Sequence, residues 1–303
     1  MSLKSVYNAQ RFAGGWIGGG RVLAALLLLT AFLALPAMAW AQDRPTIPCL
    51  IHCGTGGCTA APAPAGAVCA DDTVYNTLPT CAQPNVFTQV STPAQLQAWQ
   101  ANPTTSLEIK AGINFNGASI ALLTLCDVKL SQKAKLTGLV NFVIFARNID
   151  VYADITLTGN FGLRAQSQAT IRQASKVSGA AALVLQAPFV DDYGDVSVNS
   201  LYYIEGDAVV VHQASRQMSG GAVVILGASV ELYGDFHQPA SVEVVSATDL
   251  IFHQASKIDN AGDVRFEAGS TIDFYGDFIN IPFHYDKQGI RLVPADRGGH
   301  RYE

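Results

Sequence analysis

The chain has 303 residues, 49% of them hydrophobic and 14% charged, enough for one large domain or two ordinary ones. Acids outnumber bases 24 to 19, and no basic patch of the kind a nucleic-acid partner requires is visible.

Lys4, Arg11 and Arg21 precede an apolar run from Val22 to Leu35, which Pro36 closes, and Ala39-Trp40-Ala41 puts small residues at the cleavage positions. This pattern predicts a secretory signal peptide over residues 1–41, cut before Gln42. The alternative is an uncleaved membrane anchor extending to Trp40. Thr46-Ile47-Pro48 ahead of Cys49 is not a lipoprotein cleavage motif. Cleavage takes away three bases and no acid, leaving 16 bases against 24 acids, a net charge of −8. Such a balance suits a secreted or cell-surface protein, the periplasm being the other compartment open to it.

All six cysteines fall after residue 41: Cys49, Cys53, Cys58, Cys69, Cys81 and Cys126. In an oxidising compartment an even set reads as disulfides, of unspecified connectivity, with Cys126 tying the cysteine-rich segment 42–91 to the chain beyond it. A zinc site at Cys49, His52, Cys53 and Cys58 is the weaker alternative, since the paired C-x2-C of a zinc ribbon is missing. Segment 42–91 shows little periodicity and is expected to owe its order to its disulfides.

Residues 92–106 read as a short helix and linker. Thr92 serves as N-cap, Pro93 takes the first helical position, Gln95 completes a capping box, and Leu96 and Trp99 share one face. Leu107-Glu108-Ile109-Lys110 then reads as a first strand. The helix would cover the open apolar end of whatever stack this strand begins.

From 107 to 282 the chain repeats. Tyr152, Tyr193, Tyr233 and Tyr275 head one series of similar segments, each followed two residues on by Asp154, Asp195, Asp235 or Asp277. Midway between them runs a second series around Gln173, Gln213 and Gln254, with Gln132 as a weaker first member. The unit is thus a pair of rungs of roughly 20 residues, which predicts an all-β, single-stranded parallel β-helix of about nine rungs. Period-2 alternation places Tyr and Asp outward. Applied to the glutamine series by simple offset, it predicts an inward column Gln132, Ala153, Gln173, Gly194, Gln213, Gly234, Gln254, Gly276. Beside it comes Ala134, Ile155, Ser175, Val196, Ser215, Phe236, Ser256, Phe278, with large and small side chains compensating in volume. Outside, Tyr152, Arg172, Tyr193, His212, Tyr233, His253 and Tyr275 form one column. The four aspartates alternate with Lys176, Arg216 and Lys257 in another.

A capping helix feeding a coil of such rungs resembles the pectin-lyase-like right-handed parallel β-helix superfamily over residues 92–282. The repeats are also similar to those of filamentous-haemagglutinin-type secreted adhesins. The first resemblance implies polysaccharide lyases or hydrolases using acid clusters, or a base beside calcium. Here the acids are spread evenly, no rung carries an unusual cluster, and no catalytic residue, cofactor or metal ligand is assigned. Asp191-Asp192 is the sole local acidic pair within the repeat, and the inward phase of Asp192 predicts a bend there. The face bearing Tyr152, Asp154, Tyr193, Asp195, Tyr233, Asp235, Tyr275 and Asp277 is the candidate binding surface. Two functions compete: a structural or adhesive surface module, self-associating end to end through the C-terminal rung beside the tail 283–303 or docking on another surface component, and a polysaccharide-active enzyme or binder.

Overall fold

The computed structural model describes residues 50, 52–54, 57–60, 73–213, 215–218, 220–279 and 300–302. The predicted signal peptide over residues 1–41, Cys49, Cys69 and most of the segment 283–303 lie outside them. The protein is all-β, 65% strand and 6% helix, wound as a parallel β-solenoid of about nine turns.

Each turn lays down three short strands, one on each of three parallel sheets. Sheet A stacks Val128–Leu130 on 149–151, 169–171, Phe189–Asp192, 209–211, 230–232, Leu250–Phe252 and Ile272–Phe274. A corner follows, then sheet B with Asp154–Leu157, Asp235–His237, Lys257–Asp259 and Asp277–Ile279 among its members. Sheet C follows, ending in Ser241–Ser246 and Asp263–Ala268. Alternate residues of all three sheets point into one continuous core. Its columns run Leu130, Val151, Ile171, Asp192, Val211, Leu232 on sheet A and Phe142, Phe161, Leu183, Tyr202, Val223, Val242 on sheet C, all buried.

The first turn is covered as its sequence requires. Helix Pro93–Gln100 begins at Thr92, whose Oγ1 accepts from the Gln95 N–H at 3.3 Å, while Gln95 reaches back to the Ser91 N–H at 2.8 Å. Leu96 and Trp99 are buried in the core with Val90, Leu107 and Ile109.

The cysteine-rich segment does more than hold itself together. A disulfide joins Cys81 to Cys126, closing 45 residues onto the first turns, a constraint on the unfolded chain of about 4 kcal/mol. Cys53 and Cys58 stand opposite each other in an antiparallel hairpin of His52–Gly54 with Gly57–Thr59. Leu50, Ala60, Tyr75 and Leu78 pack on the outer side of sheet C, where Val143, Phe145, Val184, Tyr203 and Val224 are apolar and buried. Tyr75 stands edge-on to Phe145 at 5.5 Å and donates to the Arg164 carbonyl at 2.7 Å. Order in this segment therefore comes from apolar burial as well as from cysteine.

Two sequence expectations are corrected at the corner between sheets A and B. Gln132, Gln173, Gln213 and Gln254 are exposed, whereas Ala153, Gly194 and Gly234 are buried as expected and Gly276 is half-buried. The reason is corner length. After Tyr152 a single residue, Ala153, leads to Asp154. After Arg172, a β-turn closed by Ser175 N–H to Arg172 O at 2.8 Å intervenes before Lys176, and His253–Ser256 repeats it at 2.8 Å. The turn loops Gln and its neighbour outward. Ser175 and Ser256 remain buried, but at the corner, Ser175 donating to Ala153 O at 2.7 Å. The partners of Ile155, Val196, Phe236 and Phe278 in the inward column of sheet B are instead Leu136, Val177, Arg216 and Ile258.

Arg216 is the second correction. Lys176 and Lys257 alternate outward with the aspartates as expected, Lys176 lying 3.8 Å from Asp195. In the glutamine turn between them the corner is one residue shorter, so Ser215 pairs with Asp235 and Arg216 falls in the inward phase.

Candidate functional site

The corner column is a stack of rings and cations running along the solenoid. Arg172 lies over Tyr152 at 5.5 Å, His212 is parallel to Tyr193 with ring centroids 3.4 Å apart, and Tyr233 lies between His212 at 5.6 Å and His253 at 3.7 Å. Each base is also held by an acid one turn earlier on sheet A. Arg172 Nε donates to Asp150 at 2.7 Å, His212 Nε2 pairs with Asp191 at 2.7 Å, and His253 Nε2 with Glu231 at 3.1 Å. Tyr233 donates its hydroxyl to the same Glu231 at 3.1 Å. The Asp150 contact, working against partial burial, raises the pKa of Arg172 above its ordinary value. Burial first, and the Glu231 carboxylate second, raise the Tyr233 phenol.

This geometry limits what the candidate face can do. Tyr152, Tyr193 and Tyr233 present their ring faces to the next turn, where a guanidinium or imidazole occupies them. Tyr275, 51% exposed, is the tyrosine of the column open to a ligand. Asp154, Asp195, Asp235 and Asp277 sit across the corner on sheet B, so the face is two parallel rows rather than one cluster. Burial raises the Asp235 carboxyl, and one of its oxygens is buried without a hydrogen-bond partner among the described residues.

Asp192 is not at a bend. It is fully buried on sheet A, at the centre of the one extended polar network in the described core. Arg216, also fully buried, reaches the Asp192 carboxylate at 3.0 Å, the Asp192 carbonyl at 2.8 Å and the His212 carbonyl at 2.9 Å. Tyr202 donates to Asp192 and accepts from Arg216 Nε at 3.0 Å, and the Gly194 N–H donates to the remaining Asp192 oxygen at 2.8 Å. Burial opposes the Arg216 charge, but the adjacent carboxylate outweighs it and the guanidinium stays protonated. Burial also pushes the Tyr202 phenol well above its ordinary value. Every polar atom of this network is turned on a neighbour inside the core, so it serves the fold.

A further feature, on the outer side of sheet A, has no counterpart in the sequence motifs. Phe87, Asp127, Asn148, Gln168 and Phe189 occupy successive outward positions, with buried Ser106 between the first two. Phe87 and Phe189 are 38% and 37% exposed. A shallow cleft of about 200 Å³ lies along this row, lined by Phe87, Asp127, Lys129, Asn148, Gln168 and Arg172. Arg147 grips Asp127 with two hydrogen bonds at 2.8 and 2.7 Å, and Asn148 adds a third at 2.9 Å. Outward phase on sheet A is readable for each residue from strand alternation, but nothing in the sequence marks them as neighbours in a row beside the ladder.

Set against family models, curated proteins and solved structures, the chain matches none of them. Among the described residues no helix is long and apolar enough to cross a membrane, and no group of three or more His, Cys, Asp or Glu side chains is placed to share a metal ion.

Proposed function

We propose that the protein is an exported scaffold, a rigid β-solenoid module of the cell surface or extracellular matrix. The observation that carries this is the use made of the repeated polar groups. From Asp150 to His253 each acid holds the base of the next turn, and each base lies against a tyrosine. Groups that an enzyme would aim at a substrate are spent on fixing turn against turn. The predicted leader and the Cys81–Cys126 disulfide support export. The partner this function calls for is another surface component or a second copy meeting end to end. At the C-terminal end His300–Tyr302 lies antiparallel on the edge of Ile272–Phe274, so end-to-end stacking would extend or displace that strand.

The row from Phe87 to Phe189 favours a second function, binding or cleavage of a polysaccharide laid along the solenoid. Between the two phenylalanines, three successive turns about 4.8 Å apart carry Asp127, Asn148 and Gln168, one polar group to each step of an extended chain. Incubation with acidic and neutral polysaccharides separates the two. The scaffold is expected to release no reducing ends or unsaturated products; turnover that Asp127→Asn or Asp150→Asn abolishes would replace it with an enzyme.

A further inference from the structure

The outward row on sheet A changes character along its length. It opens on the exposed Phe87 and reaches the exposed Phe189 five turns later, about 24 Å along the solenoid. Just past Phe87 the row dips, because Ser106 is buried and gives its hydroxyl to the Pro84 carbonyl at 2.6 Å. Asp127, Asn148 and Gln168 follow, one to a turn, beside the cleft of about 200 Å³. Beyond Phe189 the row continues in Ala208 and Ser229, side chains too small to serve as a platform.

The polar groups between the two rings are held in place without being used up. Asn148 donates to Asp127 at 2.9 Å, and Gln168 donates to the Thr170 hydroxyl at 3.0 Å. Each bond orients the amide and leaves its carbonyl oxygen and a second N–H to a ligand. The charges, by contrast, cancel in pairs. Arg147 grips Asp127 at 2.7 Å, Arg172 holds Asp150 at 2.7 Å, and Lys129 lies 3.8 Å from Glu108. Among the described residues of the cleft no cation is left over for a uronate, sulfate or phosphate, and no acid for an amine. The backbone of the intervening strands is paired with the turns on both sides, which excludes an added peptide strand.

We propose that this row seats a neutral, linear glycan of about six residues, one to a turn, lying along the solenoid with its ends on Phe87 and Phe189. A pyranose has an apolar C–H face that suits a phenyl ring, and hydroxyls that donate and accept at once, as the amides of Asn148 and Gln168 require. The rise per turn is close to the length of one residue of an extended glycan, so successive sugars meet successive turns. This seat rests on the polysaccharide reading of the row and makes it one of holding rather than cleaving, since Glu108, Asp127 and Asp150 are each committed to a base. A scaffold so equipped is tethered to a neutral glycan of the surface it serves.

Titration calorimetry of the full exported chain with cello-, laminari-, xylo- and manno-oligosaccharides, from disaccharide to octasaccharide, tests the seat. Affinity for the preferred series is expected to rise with length, level off at the hexasaccharide once both rings are covered, and depend little on salt. Phe87→Ala and Phe189→Ala should each raise the hexasaccharide Kd by about tenfold at an unchanged melting temperature, because both rings lie outside the core. Phe189→Trp, which keeps the platform, should not. Polygalacturonate should bind more weakly than the neutral chain. Equal affinity for disaccharide and hexasaccharide would overturn the proposal. So would phenylalanine variants of unchanged Kd, or polygalacturonate binding that is tighter and weakened by salt. In those cases a glycan is bound and the seat alone is wrong. A chain that binds no glycan, neutral or acidic, loses the polysaccharide reading together with the seat.

Discussion

Asp191 and Asp192 are chain neighbours on one strand, and they live in different solvents. Asp191 points outward and holds His212 at 2.7 Å beside the Tyr193 ring, in a pair 14% and 25% exposed. Asp192 points inward and holds Arg216 with both side chains fully buried. The residue types are nearly the same: an acid, a base on the next turn of the solenoid, and a tyrosine. Outside, water screens the contacts and would replace any that were lost, so the ladder sets register more than it adds stability. Inside, each charge depends wholly on its partner, so the network is costly to break although its net contribution over an apolar core is small.

The comparison is open to direct attack. Asp192→Ala strands the Arg216 guanidinium in the core and should cost about 3–5 kcal/mol in chemical denaturation, with a lowered midpoint at unchanged slope. Replacing both partners with apolar residues, Asp192→Leu with Arg216→Met, should recover most of that loss. If the double variant is as unstable as the single, the network is more than a compensated pair. Gly234→Leu tests the packing around it. A Cβ there would lie 2.8 Å from both Arg216 Nη1 and the His212 carbonyl, so the overpacking cost, on the order of 1–3 kcal/mol, falls on the network rather than on the exposed glutamines. Tyr233→Ala, on the outer ladder, should cost about 1 kcal/mol, and a melt as low as that of Gly234→Leu would erase the distinction between the two sides.

The smallest effect concerns pH. Burial works against ionisation of Asp259, but hydrogen bonds from Lys257 and from His237, at 2.9 Å, prevail and hold its carboxyl below the usual range. A depressed carboxyl stabilises the fold above its unfolded pKa and loses that contribution as pH falls through the folded value. Asp259→Asn should therefore lower the melting temperature at neutral pH, and the difference from wild type should vanish in acid. A difference that persisted in acid would assign the effect to packing.

Much of this architecture is legible in the chain itself. The spacing of Tyr152, Tyr193, Tyr233 and Tyr275 implies paired rungs, the alternation of Val, Ile and Phe with acids implies which strand face is buried, and Thr92-Pro93 with Gln95 implies the covering helix. These are local patterns of period two or of one turn, and a solenoid repeats them without altering them. The ladder is legible for the same reason. Parity across the corner is not. A mean offset of 20 residues between series conceals a β-turn inserted at one corner and made up elsewhere, and a shift of one residue exchanges inside for outside. Hence Gln173 and Gln254 lie in water, and Arg216, which the repeat equates with Lys176 and Lys257, lies in the core. The composition of segment 42–91 does not show what Leu50 and Tyr75 cover, because the apolar outer side of sheet C exists only once residues 143, 184, 203 and 224 are stacked. Sequence alone determined the repeat and the alternation, which are properties of short stretches. The tertiary structure decided corner length, the inward Arg216 and the place of the N-terminal segment, because each depends on which turns become neighbours.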